Sequence, residues 1–560
     1  MQERNHFYKN CLKLILLLTF LCFSLLQLQC STDSFNTTIP TIVDSRYEIK
    51  ILVPGSHFHG VQGLTFDSND NLYVGSVAGM AIYNVDTNTG EVREYIGPPL
   101  GEADDLEFGP DGRIYYTSFF SGKLHCKSAD GDVIELADNL PGINSLAFNN
   151  EGRLFAAQCY LGDALYEIDL SGEKKTRKII DKPGTLNGFD FGPDNKIYGP
   201  IQSKGTICKI DVETGIIEVV AEGFNPYRMP AVNFDTKGNL FAVDNSKGEV
   251  FQIDINSGEK KVIANVSQGG FDNLAIDSKD RIFITIAHSN GIYEIDKKTG
   301  KFRTVVEGEI ACASGVAVVT DTEGDMVYVT DIFTLKRVNA LTGEVNILVS
   351  GLMSYSVSAN DNTLVWTRLG FTGAGTIQVY DRSTDELINS FSGFNAPSHA
   401  LMMDDGSLIV AEITTGNLLR VTGEEEEERT VIAENLDTPV FLAMSENDAV
   451  YVAEAASGTI SRINLNTGDR IVIASGLKMP EGIGVLPDGK LVVAETGKKR
   501  LVQIDPVSGA ITAIAINLPV GYPKPPSLPH SLITGVAVSN SGSIYVTSDI
   551  ENSLYKIMPQ

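Results

Sequence analysis

The sequence lacks the short motifs that would point directly to a chemistry. It has no GxSxG nucleophile elbow, no HExxH helix and no P-loop. Cysteine is sparse, and the four cysteines beyond residue 30 form no CxxC pair, so neither a disulfide framework nor a zinc site is supported. Buried free thiols are expected instead, at Cys126, Cys159, Cys208 and Cys312.

Basic charge and tryptophan are also scarce. The 560 residues carry 44 Lys and Arg against 71 Asp and Glu, a formal net charge of -27. Such a surface repels nucleic acid and anionic lipid, whereas it tolerates Ca²⁺ or a cationic small molecule. With 53 Gly and one Trp, the composition indicates many turns rather than long helices. The length predicts two to four domains.

Residues 1–30 are typical of an export signal. Lys9 and Lys13 precede the apolar stretch "LILLLTFLCFSLLQLQ", and polar residues follow it. No other stretch is long and apolar enough to span a bilayer. We predict an exported protein, periplasmic or extracellular, with residues 31–45 as a linker. Cys30 favours a lipid-anchored alternative, although Gln29 lies where a small residue is expected; cleavage nearby and a retained anchor also remain open.

The rest of the chain repeats one unit twelve times. "GLTFDSNDNLYVGS", "DLEFGPDGRIYYTS" and "GIGVLPDGKLVVAE" are three of the copies, and the first apolar residues of successive copies are 40 to 44 residues apart, except for a last step of 53. Each unit has the pattern of strand, tight turn, strand, loop, strand, turn, strand, with Gly, Asn and Asp in the turns. Four antiparallel strands at this period predict a β-propeller blade, so the chain is all-β.

The ends of the chain indicate two six-bladed propellers. The last unit stops after three strands at "SLYKIMPQ", whereas "YEIKILVPG" at 47–55 is a fourth strand with none before it. In our preferred phase, 47–54 completes the sixth blade and 301–308 completes the twelfth, so that each propeller is closed by an N-terminal outer strand. This gives a first propeller at 46–298 and a second at 299–560. Two alternatives are that 47–54 closes the twelfth blade, making the first propeller an insertion, or that one larger ring forms.

The repeated "GxAxxxxGxxYVxD/E" pattern, with "LNGFDFGPDNKIYG" at 186–199 and "PEGIGVLPDGKLVVAE" at 480–495, resembles the senescence-marker protein (regucalcin)/gluconolactonase family and the related NHL-repeat and strictosidine-synthase-like propellers. The resemblance implies a divalent metal, usually Ca²⁺, at the channel mouth, which polarises a lactone carbonyl. Asn187 matches the family's metal-binding Asn. Where the family has Asp and Glu, this chain has Ile201 or Gln202 and Gln62, with Asp244 one blade later.

Residues before the innermost strand and after the second strand of a blade lie at the same channel mouth. In the first propeller these positions hold a mixture of carboxylate and carboxamide oxygens, which Ca²⁺ prefers. The predicted metal ligands are Asp104, Asn144, Asn187, Asp244 and Asp272. Because Asp and Asn are also ordinary turn residues, a purely structural role remains open.

In the second propeller, "VAE" recurs in three successive blades, which predicts a ring of carboxylates around the axis. Like charges that close raise one another's pKa unless a cation lies among them. We predict catalytic roles for Glu481, Glu495 and His399, and ligand binding by Asp331, Arg368, Glu412 and Glu454. The alternative is that each acidic residue bonds only nearby backbone.

Three smaller features complete the sequence predictions. The Pro-rich insert at 517–533 is expected to rise over the second mouth as a lid carrying Tyr522 and His530, or to act as a spacer. "GEEEEER" at 423–429 is expected to be a solvated hairpin. His57 and His59 flank the first innermost strand and lie within reach of the mouth.

Two functions follow from these observations. The first is an exported enzyme with a channel-mouth metal as Lewis acid and a rim carboxylate as base, hydrolysing a lactone or ester. The second is a non-catalytic propeller that binds a small molecule, glycan or protein. Fold alone does not separate them.

Overall fold

The computed structural model describes residues 35–560, apart from 172, 174, 267–268, 371–372, 424–426, 447 and 524–531. In this part the regular structure is β-strand, apart from two 3-10 turns at Gln202–Lys204 and Thr496–Lys498. The export segment, His530 and residues 424–426 of the acidic hairpin lie outside the described residues. Within the described chain, no helix is long and apolar enough to cross a membrane.

The first propeller has six blades, each a four-stranded antiparallel sheet built from consecutive strands. The innermost strand comes first in every blade of this propeller. Its strands are β3 (Leu64–Phe66), β4 (Leu72–Ser76), β5 (Ala81–Val85), β6 (Val92–Ile96); β7 (Leu106–Phe108), β8 (Ile114–Ser118), β9 (Lys123–Lys127), β10 (Val133–Ala137); β11 (Ile143–Phe148), β12 (Leu154–Gln158), β13 (Ala164–Ile168), β14 (Thr176–Asp181); β15 (Asp190–Phe191), β16 (Ile197–Ile201), β17 (Thr206–Ile210), β18 (Ile217–Ala221); β19 (Val232–Phe234), β20 (Leu240–Asp244), β21 (Glu249–Ile253), β22 (Lys260–Asn265); β23 (Phe271–Ile276), β24 (Ile282–Ile286), β25 (Gly291–Ile295) and β26 (Phe302–Val306).

The second propeller adds six more blades, and two of them include N-terminal strands. These are β1 (Thr41–Ile42) and β2 (Tyr47–Val53). The other strands are β27 (Val316–Asp321), β28 (Gly324–Asp331), β29 (Thr334–Asn339), β30 (Val345–Ser350); β31 (Ser354–Ala359), β32 (Thr363–Arg368), β33 (Ala374–Asp381), β34 (Leu387–Asn395); β35 (Pro397–Met402), β36 (Leu408–Glu412), β37 (Asn417–Thr422), β38 (Glu428–Ala433); β39 (Pro439–Ser445), β40 (Ala449–Glu454), β41 (Thr459–Asn464), β42 (Arg470–Ala474); β43 (Pro480–Val485), β44 (Leu491–Glu495), β45 (Arg500–Ile504), β46 (Ile511–Ile516); β47 (Val536–Val538), β48 (Ile544–Ser548) and β49 (Ser553–Pro559).

Local sequence explains the hairpins. In the first propeller the turn between the first two strands of each blade contains a residue at positive φ, and Gly, Asn or Asp occupies it each time, including Asp70, Gly112 and Asn195. The turn between the last two strands often begins with an Asp whose carboxylate accepts backbone N–H groups just ahead, as Asp86 does from Asn88 and Thr89. The repeated "DxxTG" motif therefore sets the period of the blades.

Innermost strands contact their neighbours in closed cyclic order in both halves: β3, β7, β11, β15, β19, β23 and back to β3, and then β27, β31, β35, β39, β43, β47 and back to β27. Hydroxyl groups bridge adjacent blades near each axis; for example, Thr285 Oγ1 donates to Gln62 O at 2.7 Å and Ser398 Oγ donates to Pro439 O at 2.7 Å. Apolar clusters fill the spaces between blades. The prediction of tandem six-bladed propellers is confirmed.

The preferred closure phase is wrong, and the insertion alternative is correct. β2 pairs along its length with β49 of the twelfth blade, whereas β26 pairs with β25 and completes the sixth blade. The boundary predicted between residues 298 and 299 therefore falls inside a blade. An N-terminal outer strand closes only the second propeller, and the first propeller is inserted between β2 and β27. Both phases give four-stranded blades, so counting strands did not distinguish them.

Two buried asparagines fasten the segments that enter and leave the first propeller. Asn290 Nδ2 donates to Ser56 Oγ at 2.7 Å and to Ile310 O at 3.2 Å, so it joins both segments. Asn552 of the second propeller accepts from Cys312 N at 2.8 Å and donates to Phe58 O at 2.8 Å. Each propeller thus supplies a side chain that holds the connections, which fixes one propeller relative to the other.

We predict that closure of the twelfth blade limits stability. Val53 is fully buried beside the first blade of the second propeller. Val53→Asp leaves an unpaired charge there, so we expect a loss of at least about 3 kcal/mol in the free energy of unfolding, measured by denaturant titration and circular dichroism. The control is Val43→Asp, because Val43 is 48% exposed in the same N-terminal segment; a loss of similar size in both variants would contradict the closure.

Candidate functional site

The mouth of the first propeller opens into a cavity of about 230 Å³ that the second propeller covers. Six residues at the entrances of the innermost strands, within the first two residues of the strand or just before it, all line the cavity: Gln62, Asp104, Asn144, Asn187, Pro230 and Asp272. Because these six residues occupy equivalent positions in the six blades, their side chains lie in one layer around the axis. Four of the five predicted metal ligands are therefore brought together.

The cavity has a polar side and an apolar side. Opposite the polar layer, the second propeller contributes the loops that follow β28 and β30, with Ile332, Phe333, Leu352 and Met353. Aromatic side chains of the first propeller complete the wall, namely Phe119, Phe120, Tyr160 and Tyr227. Since both propellers line the cavity, its shape depends on how they are held together.

Two carboxyl groups dominate the polar side. Asp104 Oδ2 accepts a hydrogen bond from Asn144 Nδ2 at 2.9 Å, whereas in the described part of the chain no donor bonds the carboxylate of Asp272. Burial, then the charge of Asp272, raises the pKa of Asp104 well above its usual range. Burial, then the charge of Asp105, raises the pKa of Asp272 to about 7. Neither group forms an ion pair with a described Lys or Arg, so no described basic side chain balances the negative charge of these two carboxyl groups.

Nearby bases do not neutralise these acids. Arg228 lines the cavity but lies exposed at its rim. His288 bonds Ser350 Oγ at 3.4 Å across the interface between the propellers, and burial lowers its pKa to about 4. Burial likewise lowers the pKa of His59 to about 4. Both imidazoles are therefore neutral near pH 7.

A second layer of acids lies deeper in the first channel and has a structural role. Each of these carboxylates accepts a backbone N–H from the next blade: Asp105 from Leu146 at 3.3 Å, Glu107 from Phe148 at 2.9 Å, and Asp190 from Phe234 at 2.9 Å. Burial raises their pKa values, to about 7 for Asp105 and about 6 for Asp190. They link innermost strands, as hydroxyl groups do elsewhere.

The fifth predicted metal ligand, Asp244, faces away from the cavity. Its Oδ1 accepts from Ser246 N at 2.8 Å and Ser246 Oγ at 2.7 Å, so it caps the turn after β20. In the described residues, no three His, Cys, Asp or Glu side chains gather closely enough to hold a metal ion. Asn144 also turns its NH₂ group, not its oxygen, toward Asp104. The donor set fits the Ca²⁺ site implied by the family resemblance only in part.

In the second propeller, the three "VAE" glutamates do not converge on the axis. Each accepts a backbone N–H seventeen residues earlier: Glu412 from Asn395, Glu454 from Asp437, and Glu495 from Lys478, at 2.7 to 2.9 Å. The remaining partners of Glu454 and Glu495 lie within the same blade, whereas Glu412 accepts from Thr415 Oγ1 in its own blade and from Asn395 Nδ2 at the end of the preceding one. Each glutamate therefore fastens the loop that leads into an innermost strand, which is the structural alternative left open by the sequence.

Ion pairs reinforce two of these glutamates. Arg470 contacts both oxygens of Glu454 at 2.6 Å. Glu495 pairs with Lys498 at 2.7 Å and with Arg500. Burial acts to raise the pKa of Glu495, but the bonds from Lys498, Lys478 N and Arg500 outweigh it, so the net shift is downward. These charges are already compensated.

His399 lies deeper than predicted, because it is the third residue of the innermost strand β35 and not a residue before that strand. β35 pairs Ala400 with Val410, which places His399 at the channel position that Asp105 occupies in the first propeller. Its ring packs on Phe441, with centroids 4.0 Å apart, and burial lowers its pKa to about 3. Glycines occupy three other channel positions, Gly315, Gly482 and Gly535, where an added Cβ would collide with backbone atoms of the next blade. The innermost strands of the second propeller therefore pack closely.

The other predicted residues of the second propeller are held by local contacts. Asp331 accepts from Ala311 N and Thr334 N and pairs with buried Lys336. Arg368 donates to Leu352 O at 3.0 Å, so it supports a loop of the cavity without lining it. Glu481 points into the second mouth, where it accepts from Thr534 N at 2.7 Å; burial, then the charge of Asp549, raises its pKa to about 8.

Comparisons with known proteins agree with a repeat architecture. Residues 130–273 match a repeat family of unknown function, and residues 246–513 match the family described as outer membrane protein assembly factor BamB; each range covers less than half of the chain. The second range extends from the first propeller into the second, so the match reflects the repeated blade and does not correspond to one propeller. None of the curated proteins is significantly similar in sequence.

Solved structures resemble the chain only distantly. A streptogramin B lyase has 16% identity and a TM-score of 0.38, covering 54% of this chain and 98% of its own. A candidate gluconolactonase has 13% identity and a TM-score of 0.37, covering 49% and 99%. The extracellular domain of a candidate hybrid two-component system from B. thetaiotaomicron has 11% identity and a TM-score of 0.33, covering 92% and 83%. These values say nothing about ligand or chemistry.

The glutamates of the second propeller allow a direct prediction. Glu454→Gln leaves Arg470 without its buried partner, so we expect a loss of about 3 kcal/mol or more in the free energy of unfolding at pH 6. Glu481→Gln should cost less than about 1 kcal/mol, because a carboxyl group with a pKa near 8 is already protonated at that pH. Denaturant titration of both variants measures the difference, and equal losses would contradict these assignments.

Proposed function

We propose that this protein binds a small organic cation in the cavity between its two propellers, with Asp104 and Asp272 as the residues that recognise its charge. The observation that carries the proposal is a pair of carboxyl groups, Asp104 buried and Asp272 half-buried, that have no basic partner in the described part of the chain and lie opposite an apolar wall. Binding without catalysis is the function that this geometry supports best.

Electrostatics favour a cation over other ligands. A buried carboxylate is costly unless it is paired, and two neighbouring carboxylates repel each other. A bound cation compensates both costs at once, whereas an anion adds to them. The net charge of -27 also raises the local concentration of cations around the protein.

The walls favour an organic cation with an apolar part. Phe333, Leu352 and Met353 of the second propeller offer apolar surface opposite the acids. Tyr160 and Tyr227 present aromatic rings, which attract ammonium groups over their faces. Pockets with this mixture of apolar walls and few charged groups are typical of small-molecule sites.

Hydrolysis of a lactone or ester stays a prediction, because the described residues that we predicted to be catalytic do not gather in one site. Glu495 is held in ion pairs, and His399 is packed against Phe441 in the second channel. Glu481 lies at the mouth of the second propeller, whereas the cavity lies at the mouth of the first. Calcium binding also stays a prediction, since the donor set fits it only in part. Export likewise remains a proposal that rests on the signal-like segment at residues 1–30.

Binding can be tested with benzylammonium by isothermal titration calorimetry at pH 8. We expect Asp272→Asn and Asp104→Asn each to weaken binding at least about tenfold, the effect of losing one charge-assisted contact. Asp244→Asn is the control, because Asp244 is a buried acid of the same propeller that faces away from the cavity. The proposal is contradicted if the protein binds benzyl alcohol as tightly as benzylammonium, or if both cavity variants bind benzylammonium like the wild type.

A separate experiment tests the metal prediction. A rise in the melting temperature that only Ca²⁺ produces would support it.

The raised pKa values also predict a pH dependence. Benzylammonium binds the ionised carboxylates, so protons compete with it below the pKa of Asp272, which is about 7. We expect affinity to rise roughly ten- to a hundredfold between pH 5 and pH 8, while the ligand stays protonated. In Asp272→Asn this rise should be much smaller, and a wild-type affinity that stays flat over this range would contradict the assignment.

A further inference from the structure

Arg228 adds a positive charge to the cavity that contains Asp104 and Asp272. It lines this cavity and is exposed at the rim. Every other described arginine donates a side-chain hydrogen bond to another described residue, whereas the guanidinium of Arg228 donates none. Acidic partners are plentiful in a protein with a net charge of -27, so the one described guanidinium that bonds none of them is open to a ligand.

The backbone of Arg228 is fixed beside the strand that carries Asp272. Arg228 O accepts a hydrogen bond from Asn245 N at 2.8 Å. The side chain of Asn245, which also lines the cavity, donates from Nδ2 to Phe271 O at 2.8 Å. Phe271 directly precedes Asp272 in β23. One asparagine therefore connects the loop of Arg228 to the entrance of the next blade, where one of the two acids lies.

Arg228 is the one described residue of the cavity lining that carries a permanent positive charge. The described lining contains no lysine, and burial lowers the pKa values of its two histidines, His59 and His288, to about 4. A single guanidinium balances one negative charge. Its paired N–H donors match the two oxygens of a carboxylate.

We infer that the ligand is a zwitterion whose ammonium group binds at Asp104 and Asp272 and whose carboxylate binds the guanidinium of Arg228. This inference rests on the proposed function and adds a second charged group to the ligand. A phosphate group with two negative charges would leave one of them without a basic partner in the described lining, so a carboxylate is the better match.

The exposure of the charged groups gives their order along the ligand. Asp104 is 7% exposed, whereas Arg228 belongs to the exposed rim. The ammonium group therefore enters first and the carboxylate stays near solvent, with an apolar body between them facing Phe333 and Met353. The compound 4-(aminomethyl)benzoate has this order, because it is benzylammonium with a carboxylate at the far end of the ring.

The test compares two ligands that differ only in the group at the far end of the ring. At pH 8, 4-(aminomethyl)benzoate is a zwitterion, whereas 4-(aminomethyl)benzamide is a cation of nearly the same shape. Calorimetry on the full chain gives the ratio of their two affinities, in which the contribution of the shared ammonium group cancels. We expect wild type to favour the benzoate at least about tenfold, the effect of one charge-assisted contact.

Three variants assign this ratio to Arg228. Arg228→Gln should lower the ratio about tenfold, because the amide supplies no charge. Arg228→Lys keeps the charge but loses the paired donors, so it should retain part of the ratio. The control is Arg93→Gln, which removes the same charge from an exposed side chain outside the cavity lining and should match wild type. Circular dichroism checks that each variant is folded.

The outcomes separate this inference from the proposed function. If benzylammonium binds but wild type does not favour the benzoate, or Arg228→Gln leaves the ratio unchanged, the zwitterion is overturned while cation binding stands. An equal fall of the ratio in Arg228→Gln and Arg93→Gln reports net charge alone and also overturns the role of Arg228. If benzylammonium, the benzoate and the benzamide all fail to bind wild type, both the inference and the proposed function are overturned.

Discussion

The pairing of β2 with β49 is the constraint on which the rest of the structure depends. Because β2 and β49 belong to the same blade, the first propeller must leave and re-enter the second through neighbouring segments. Asn290 and Asn552 hold those segments with buried hydrogen bonds. Two tandem propellers joined by a single linker would be free to swing, but this arrangement anchors one at both ends and turns the space between them into a defined cavity.

The two propellers use the same fold for different purposes. In the second, glycines let the innermost strands pack closely, His399 packs on Phe441, and the rim glutamates fasten the loops that lead into innermost strands. In the first, polar groups surround the axis; the deeper acids bond the backbone of adjacent blades, while the outer pair, Asp104 and Asp272, faces the cavity. Carboxylates that link strands have a structural role, whereas Asp104 and Asp272 have no basic partner among the described residues, and it is on them that the proposed cation site rests.

Sequence reasoning predicted the blades and the mouth of the first propeller well, because both depend on a repeat with a fixed strand period. It placed Asn144 and Asp272 in one layer although they lie far apart in the chain. It failed where the answer depended on strand pairing or on the direction of a side chain. The pattern of β2 fits the outer strand of either the sixth or the twelfth blade. The position of Glu454 at the end of a strand does not show whether its carboxylate points to the axis or to the neighbouring loop. The loops at Phe333 and Met353 carried no signal in the sequence, since only the contact between the propellers brings them to the cavity.

Hydrogen exchange of the full chain, with and without benzylammonium, tests the central claim most directly. If the ligand lies between the propellers, backbone amides near Gln62 and Asp272 in the first and near Phe333 and Met353 in the second should gain protection together. Protection confined to one propeller, or centred on the glutamates at the ends of β36, β40 and β44, would contradict a site that both propellers build.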